Sequence, residues 1–297
     1  MERNKFQKMI AWAGSKQKFN WLSDEYYLRL MFWARMNRKL NLESPEFFND
    51  KVQWLKLNDR KKEYISIVDK YEVRKYISQK LGEKYLIPLV GGPWESFDEI
   101  DFSQLPSQFV LKCTHDSGGV VVCKDKKSFD KKRAKEKIEK SLKRNYYKYS
   151  REWPYKHVPH RIIAEQYLTD DAGDELKDYK ILCFNGIPDN IMVCTGRFAA
   201  GVKYYFFDKN WNFLRYDHGD DELPDNFSLK KPDHLEEMFE VAKILSRGFD
   251  LARIDLYEAQ GRVWFGEITL YPDSGFDTDI LCSTDRLFGK KLNLTMK

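Results

Sequence analysis

The sequence predicts an α+β fold in at least two lobes. Three observations carry this reading: helical apolar periodicity fills the first part of the chain, several short alternating strands follow one another from residue 161 with only turn-rich pieces between them, and an amphipathic helix then precedes one last hairpin. At 297 residues there is chain for two or three packed lobes, each with its own core. Hydrophobic residues make up 42% and charged residues 33%, which is the balance of a globular protein and excludes disorder for most of the length.

Residues 6 to about 39 suit helices. In "WLSDEYYLRLMFWARMNRKL" Ser23 is the expected N-cap, with Asp24 and Glu25 in the first turn and a dense aromatic face behind them. That face either packs on the rest of the protein or rests on a membrane surface or a partner. "SPEFFNDKVQWLKLND" is again helical, and "SIVDKYEVRKYISQKLGEKYLIPLVG" reads as one helix ending near Gly82 and then a short strand over 85–90. Phe109-Val110-Leu111 and Val120-Val121-Val122 flank "KCTHDSGG" and predict a hairpin. In "KKSFDKKRAKEKIEKSLKRNYYKYS" the lysines alternate with Asp130, Glu136 and Glu139, the mark of a solvated helix rather than a nucleic-acid stripe. "RIIAEQYL", "DYKILCFNG", "DNIMVCTGR" and "KYYFFDKNW" read as strands of an antiparallel sheet. "HLEEMFEVAKILSRGF" is a helix with Gly248 just past its end, and "LARIDLYEAQGRVWFGEITLYP" is a hairpin turning near Ala259-Gln260-Gly261.

Bulk properties narrow the function. A net charge of +5, from 51 basic and 46 acidic residues, is too mixed for a nucleic-acid binder. Cys113, Cys123, Cys183, Cys194 and Cys282 form no metal spacing and no disulfide framework, which suits reduced thiols. No stretch approaches the roughly 18 apolar residues of a membrane span. Met9-Ile10-Ala11-Trp12-Ala13 is too short an apolar core for a secretory signal. A cytoplasmic location is expected, with residues 1 to 40 as a candidate contact for the inner face of the membrane or a partner.

Three constellations could carry chemistry. In the last hairpin Arg253 and Asp255 share a face by the period of two, and Glu267 lies in the partner strand. Two facing carboxylates repel unless a cation bridges them or one is protonated. Mg²⁺ with a polyphosphate satisfies that, and so does a structural ion pair with Arg253. In "FVLKCTHDSGG" Lys112 closes an apolar strand before a loop carrying Ser117, Gly118 and Gly119, whose backbone amides can approach phosphate. No Walker loop is present. In "RIIAEQYL…DYKILCFNG" Glu165 ends a strand, and Asp178 and Lys180 alternate on the next. A strand-end linker there can meet adenine and a carboxylate the ribose hydroxyls, although each residue alone also suits a surface pair on a half-buried sheet.

In chain order these pieces resemble the ATP-grasp enzymes. The phrases "FNDKVQWLKLNDR", "VDKYEVRKYISQKLGEKYLIPLVGGPW", "QLPSQFVLKCTHDSGG", "DYKILCFNG" and "RIDLYEAQGRVWFGEITLYPDSG" look like the teichuronopeptide-biosynthesis type of that superfamily, from about residue 40 to 280. The resemblance implies an ATP-grasp fold with the nucleotide between two α+β lobes. It divides the chain into a helical N-terminal region (1–68), a small α/β pre-grasp segment (69–105), a small lobe (106–168) and a large lobe with the metal site (169–297). It implies an ATP-dependent carboxylate–amine ligase working through an acylphosphate, with ATP and Mg²⁺ as cofactors. A uronic acid of a capsular or other surface polysaccharide and a small amine or amino acid are the implied partners.

Residue by residue, the resemblance assigns Lys70 and Lys112 to the ATP phosphates, with Ser117, Gly118 and Gly119 as the loop over them. Glu165, Gln166, Tyr167 and Leu168 would meet adenine, and Asp178 the ribose, with Glu175 competing for that role. Asp255, Glu267 and Thr269 would hold Mg²⁺, Thr269 standing where many ATP-grasp enzymes have asparagine. Arg253 would grip the transferred phosphoryl, and Lys180 and Arg197 phosphate or substrate carboxylate. The alternative reading is a glycosyltransferase chelating a metal–nucleotide-sugar through Asp277-Thr278-Asp279, although the alternating strand–helix half that usually precedes such a motif is not found upstream. A third is a non-catalytic nucleotide-binding scaffold.

Overall fold

The computed structural model describes residues 3–169, 176–196 and 201–295. Arg197 and Glu175 lie outside the described residues.

Helices α1 (Lys5–Ser15) and α2 (Asp24–Met36) form an antiparallel hairpin. Asn4 and Gln7 cap α1 reciprocally, each side chain accepting the other's backbone N–H at 2.9 Å. Ser23 sits at the expected cap of α2 but makes no side-chain cap bond. That start is held by tertiary contacts instead, since the Asp24 carboxylate accepts from Arg60 at 2.6 Å and from the Tyr147 hydroxyl at 2.5 Å.

After α3 (Phe48–Asn58), the helix expected over the next segment is broken in two, α4 (Glu63–Val68) and α5 (Val73–Leu81). The cause is Asp69. Its carboxylate accepts the Tyr71 and Glu72 amides at 2.8 and 3.3 Å, an alternative to the helical ladder. The strand expected over 85–90 starts later, as β1 (Leu89–Trp94). Residues Glu83–Tyr85 instead make a helical turn that buries Tyr85 in the larger core, its hydroxyl donating to Glu237 at 2.7 Å.

Two antiparallel sheets follow. The smaller has the order β1-β4-β2-β3, built with β2 (Phe109–Cys113), β3 (Val120–Cys123) and β4 (Ile162–Gln166). Between β3 and β4 run α6 (Lys131–Leu142) and the single turn α7 (Tyr147–Ser150). Only Ala134, Ile138 and Ser141 of α6 are buried, the apolar pair against Phe109, Leu111, Ile162 and Ala164, so its lysines are solvated as expected.

The larger sheet runs β10-β9-β5-β6-β7-β8, from β5 (Asp178–Phe184), β6 (Ile187–Thr195), β7 (Lys203–Phe207), β8 (Phe213–Leu214), β9 (Leu251–Ala259) and β10 (Arg262–Thr269). Gln260 and Gly261, with φ of 55° and 65°, make the tight turn of the last hairpin. One face of this sheet packs on α8 (Leu235–Leu245) and on Phe288 of α9 (Cys282–Lys291). Strand alternation then fixes the other face: Ala252, Ile254 and Leu256 enter the core, and Arg253, Asp255 and Tyr257 look across at the small sheet. The α4–α5 segment packs in this larger core, residues 97 to 105 in the smaller one, and α2 in a third cluster with Phe276.

Candidate active site

Glu267 reaches its face of the sheet through a β-bulge. Val263, Trp264 and Phe265 pair with Glu258, Tyr257 and Leu256, but the next pair is Glu267 with Asp255, and Gly266 is skipped. In a regular strand Glu267 would share a face with Val263 and Phe265 and point into the core. The extra residue shifts the alternation, so Ile268 is buried while Glu267 and Thr269 stand beside Asp255 and Arg253. A Cβ at position 266 would lie 2.9 Å from the Asp255 carbonyl oxygen. Glycine inside a strand is the sequence sign of such a bulge.

Around this pair lies a network of alternating charge. Arg253 donates to both Asp255 oxygens, Nε at 2.8 Å and a terminal nitrogen at 2.9 Å, and Lys180 donates to Asp255 as well. Lys180 also meets Asp178 at 2.6 Å, and Arg253 approaches Glu267 at 3.5 Å. Burial raises the Asp255 carboxyl above its ordinary value, while Arg253 and Lys180 pull it back. Burial by itself lowers the Lys180 ammonium, but Asp255 and Asp178 leave it raised. Burial acts on Glu267 too, yet Lys70, Lys180, Arg253 and the Thr269 hydroxyl outweigh it and hold the carboxyl well below the usual range. Each carboxylate of the network thus faces at least one cation.

Lys70 joins this network to the other lobe. Its Nζ lies 3.4 Å from Glu267 and donates to the Asp116 carbonyl at 2.8 Å, and its amide donates to the Thr114 carbonyl at 3.0 Å. The β2–β3 loop is folded over the buried Asp116 carboxylate, which accepts the Gly118 and Gly119 amides at 3.3 and 2.9 Å and also the Ser141 hydroxyl. Those two amides are therefore turned inward, and of the expected loop trio Ser117 alone is among the described residues lining the cleft. Lys112 is ion-paired with Glu165 at 2.5 Å, and Arg74 lies 3.5 Å from the same carboxylate. Glu165, Gln166, Tyr167 and Leu168 are not among the described residues lining the cleft. The Gln166 amide donates to the Pro88 carbonyl at 2.9 Å, and Leu168 is buried with Ile87, Ala259 and Trp264.

Between the lobes these residues enclose a cleft of about 600 Å³. Its lining carries Lys70, Lys112, Lys180 and Arg253, each with a carboxylate partner. The lining also carries an acidic cluster, Asp217, Asp273, Asp277 and Asp279, with the buried Glu152, and Asp273 is near enough to act on Arg253. Burial and the neighbouring aspartates push both Asp217 and Asp277 up to about 7. Glu152 and Lys56 beneath it carry no motif in the sequence. Lys56, fully buried, donates to the Ser150 and Ser274 carbonyls at 2.8 and 2.6 Å and to the Ser274 hydroxyl at 2.8 Å, holding the turn in which Asp273 and Ser274 have positive φ.

The donor set suits a hard divalent cation. Asp255 and Glu267 are direct neighbours across β9 and β10, and the Thr269 hydroxyl donates to Glu267 at 3.1 Å while accepting from Arg253 at 3.2 Å. Among the described residues no three His, Cys, Asp or Glu side chains form one metal-binding group. Two carboxylates with water and phosphate oxygens are what Mg²⁺ accepts. Asp277 and Asp279 do not read as a chelating pair, because the Asp277 carboxylate accepts the Asp279 and Ile280 amides at 2.9 and 3.3 Å and makes a turn.

A model of the TupA-like ATP-grasp family matches residues 50–293. The chain belongs to that family. The match spans all of the cleft network, from the α4–α5 break to α9, so the TupA-like ATP-grasp assignment covers both lobes and leaves out the α1–α2 hairpin. No curated protein matches the sequence. Solved structures similar to it include a D-alanine–D-alanine ligase from Helicobacter pylori, 16% identical over 83% of this chain and 69% of that one, with a TM-score of 0.42. A D-alanine–D-alanine ligase from Bacillus anthracis complexed with ATP is 13% identical over 76% of this chain and 62% of that one, with a TM-score of 0.43. An N5-carboxyaminoimidazole synthase from Aspergillus clavatus is 12% identical over 69% of this chain and 44% of that one, with a TM-score of 0.39.

Proposed function

We propose that this TupA-like ATP-grasp protein is an ATP-dependent ligase that forms an amide between a carboxylate and an amine, the carboxylate being a uronic acid of a surface polysaccharide or its precursor. The observation that carries the reading is the composition of the cleft lining, in which four cations and the Asp255–Glu267 pair share one cavity with a cluster of carboxylates. A polyphosphate suits the cations and an ammonium group the carboxylate cluster. In this reading Lys70 and Lys112 bind the phosphates with Ser117, and Asp178 orients the ribose. Arg253 and Lys180 stabilise charge on the transferred phosphoryl. Asp255, Glu267 and Thr269 hold Mg²⁺, which when bound neutralises phosphate charge. The carboxylate takes the γ-phosphoryl and becomes an acylphosphate, and the amine attacks its carbonyl carbon, releasing phosphate. Enclosure between the lobes keeps water from that intermediate.

The test is to incubate the protein with Mg·ATP, oligogalacturonate and a pool of amino acids and amino alcohols, following ADP, phosphate and the amide product. Hydroxylamine in place of the amines should trap the acylphosphate as a hydroxamate. Asp255→Asn and Glu267→Gln should abolish Mg-dependent ADP release and leave the circular dichroism spectrum intact, and full activity in both removes the metal assignment. UDP release from a nucleotide sugar, with no ADP from ATP, would instead favour a glycosyltransferase.

A further inference from the structure

The α1–α2 hairpin lies outside the family match, and its outer surface has a composition that the ligase reading does not use. α1 has two faces. Gln7 and Gly14 turn to α2: the Gln7 amide donates to the Trp33 carbonyl at 3.1 Å and to Asn37 at 2.8 Å, and a Cβ at Gly14 would lie 2.5 Å from Met31. Phe6, Met9 and Trp12, at steps of three, are instead exposed, Trp12 at 60%. Trp21 in the connecting turn is 79% exposed, and Tyr26 on α2 is exposed as well. Large apolar side chains repeated on one exposed helix face, as at Phe6, Met9 and Trp12, mark a binding face.

Charge says what covers it. Residues 3 to 23 contain Arg3, Lys5, Lys8, Lys16 and Lys18 and no Asp or Glu. All five cations are exposed, and they are interspersed with the aromatic residues. Lysine is depleted from protein–protein interfaces, whereas aromatic and lysine side chains on one short amphipathic helix suit the headgroup layer of an anionic bilayer, with the rings in the acyl boundary and the ammonium groups at the phosphates. None of the described helices is long and apolar enough to cross a membrane, so the contact is one that lies on the surface.

We propose that the exposed face of α1, with Phe6, Met9 and Trp12 among Lys5, Lys8 and Lys16, docks the protein on an anionic phospholipid surface. The hairpin also adjoins the acidic cluster of the cleft. Arg3 and Arg35 line a depression of about 300 Å³ together with Asp273, Asp277 and Asp279, which line the cleft as well. Docking at α1 therefore holds this depression, and the cleft beside it, near the lipid surface. The docking rests on the hairpin alone and holds whatever reaction the cleft performs.

The experiment is co-sedimentation of the full chain with vesicles of equimolar phosphatidylcholine and phosphatidylglycerol, and with phosphatidylcholine alone. Binding to the anionic vesicles should be at least tenfold tighter and should weaken with salt. Met9→Glu with Trp12→Glu, and separately Lys5→Glu with Lys8→Glu and Lys16→Glu, should each reduce it at least tenfold while circular dichroism and ATP binding stay unchanged. Equal binding to both vesicles, or retained binding by the Met9/Trp12 variant, overturns the proposal. So does a concentration-dependent dimer in the ultracentrifuge that the Met9/Trp12 variant abolishes, since the face would then belong to a second copy of this chain.

Discussion

At the scale of single residues, Gly266 decides where a charge can live. Without the bulge, Glu267 would enter an apolar core, where an unpaired carboxylate is costly; with it, Glu267 meets three cations. Gly266→Ala presses a methyl group on the Asp255 carbonyl, 2.9 Å away, so we expect a loss of about 1–3 kcal/mol in urea unfolding. A larger proportional loss of Mg-dependent ADP release should accompany it, because the strand either shifts or straightens. The acidic cluster gives a second expectation, with a sign fixed by linkage. Asp277 is raised from 3.8 to about 7, so the fold retains protons that the unfolded chain releases, and stability falls as pH rises from about 4 through 7. Asp277→Asn keeps the oxygen that accepts the Asp279 and Ile280 amides and removes the repulsion. The side chain is partly exposed and water screens it, so we expect a gain of about 1–2 kcal/mol at pH 8 and none at pH 4, read as the difference between two denaturation series. A gain independent of pH would mean that the mutual repulsion of the aspartates is absent.

At the scale of elements, much was legible. The β2–β3 and β9–β10 hairpins follow from period-two alternation and a turn signal, whereas counting from that turn would set Gly266 opposite Asp255, and Glu267 faces it only through the bulge. The break at Asp69 was hidden because its cause is local hydrogen bonding, which apolar periodicity does not register. Lys56 and Glu152 were hidden because their burial comes from partners about a hundred or more residues away, and on its own stretch each reads as an ordinary surface charge. The β2–β3 loop lies between these cases, since its glycines announced a tight turn and not that Asp116 would take their amides. Asp116→Ala leaves the Ser141 hydroxyl and the Gly119 amide without their acceptor in a buried site, at a cost of about 2–3 kcal/mol. It should also loosen the loop that presents Ser117 and the carbonyl that fixes Lys70. We expect faster hydrogen exchange over residues 114 to 119 and ATP affinity about tenfold weaker by calorimetry. Tighter ATP binding would mean that the freed glycine amides are phosphate ligands.

At the scale of the whole molecule, the cleft holds its cations by pairing each with a carboxylate: Lys112 with Glu165, Lys70 with Glu267, and Lys180 and Arg253 with Asp255. An incoming polyphosphate exchanges one set of anions for another, so its net gain is the difference between the two and not the sum of new contacts. Lys112→Ala tests this from both sides. Unliganded, the variant leaves Glu165 with Arg74 at 3.5 Å as its remaining cation among the described residues, and should lose about 1–2 kcal/mol. Liganded, it should bind Mg·ATP about thirtyfold more weakly if Lys112 holds phosphate, the share of one charge-assisted contact of about 2 kcal/mol. Mg·ATP at about 100 times the wild-type Kd stabilises the wild type by about 2.7 kcal/mol, and the same concentration would stabilise such a variant by only about 0.9 kcal/mol. The ligand-induced rise in Tm should therefore shrink to about one third in a thermal scan. A variant with lowered Tm but an undiminished ligand-induced rise would make Lys112 a structural counter-ion of Glu165, and the phosphates would then rest on Lys70 and the β9–β10 network alone.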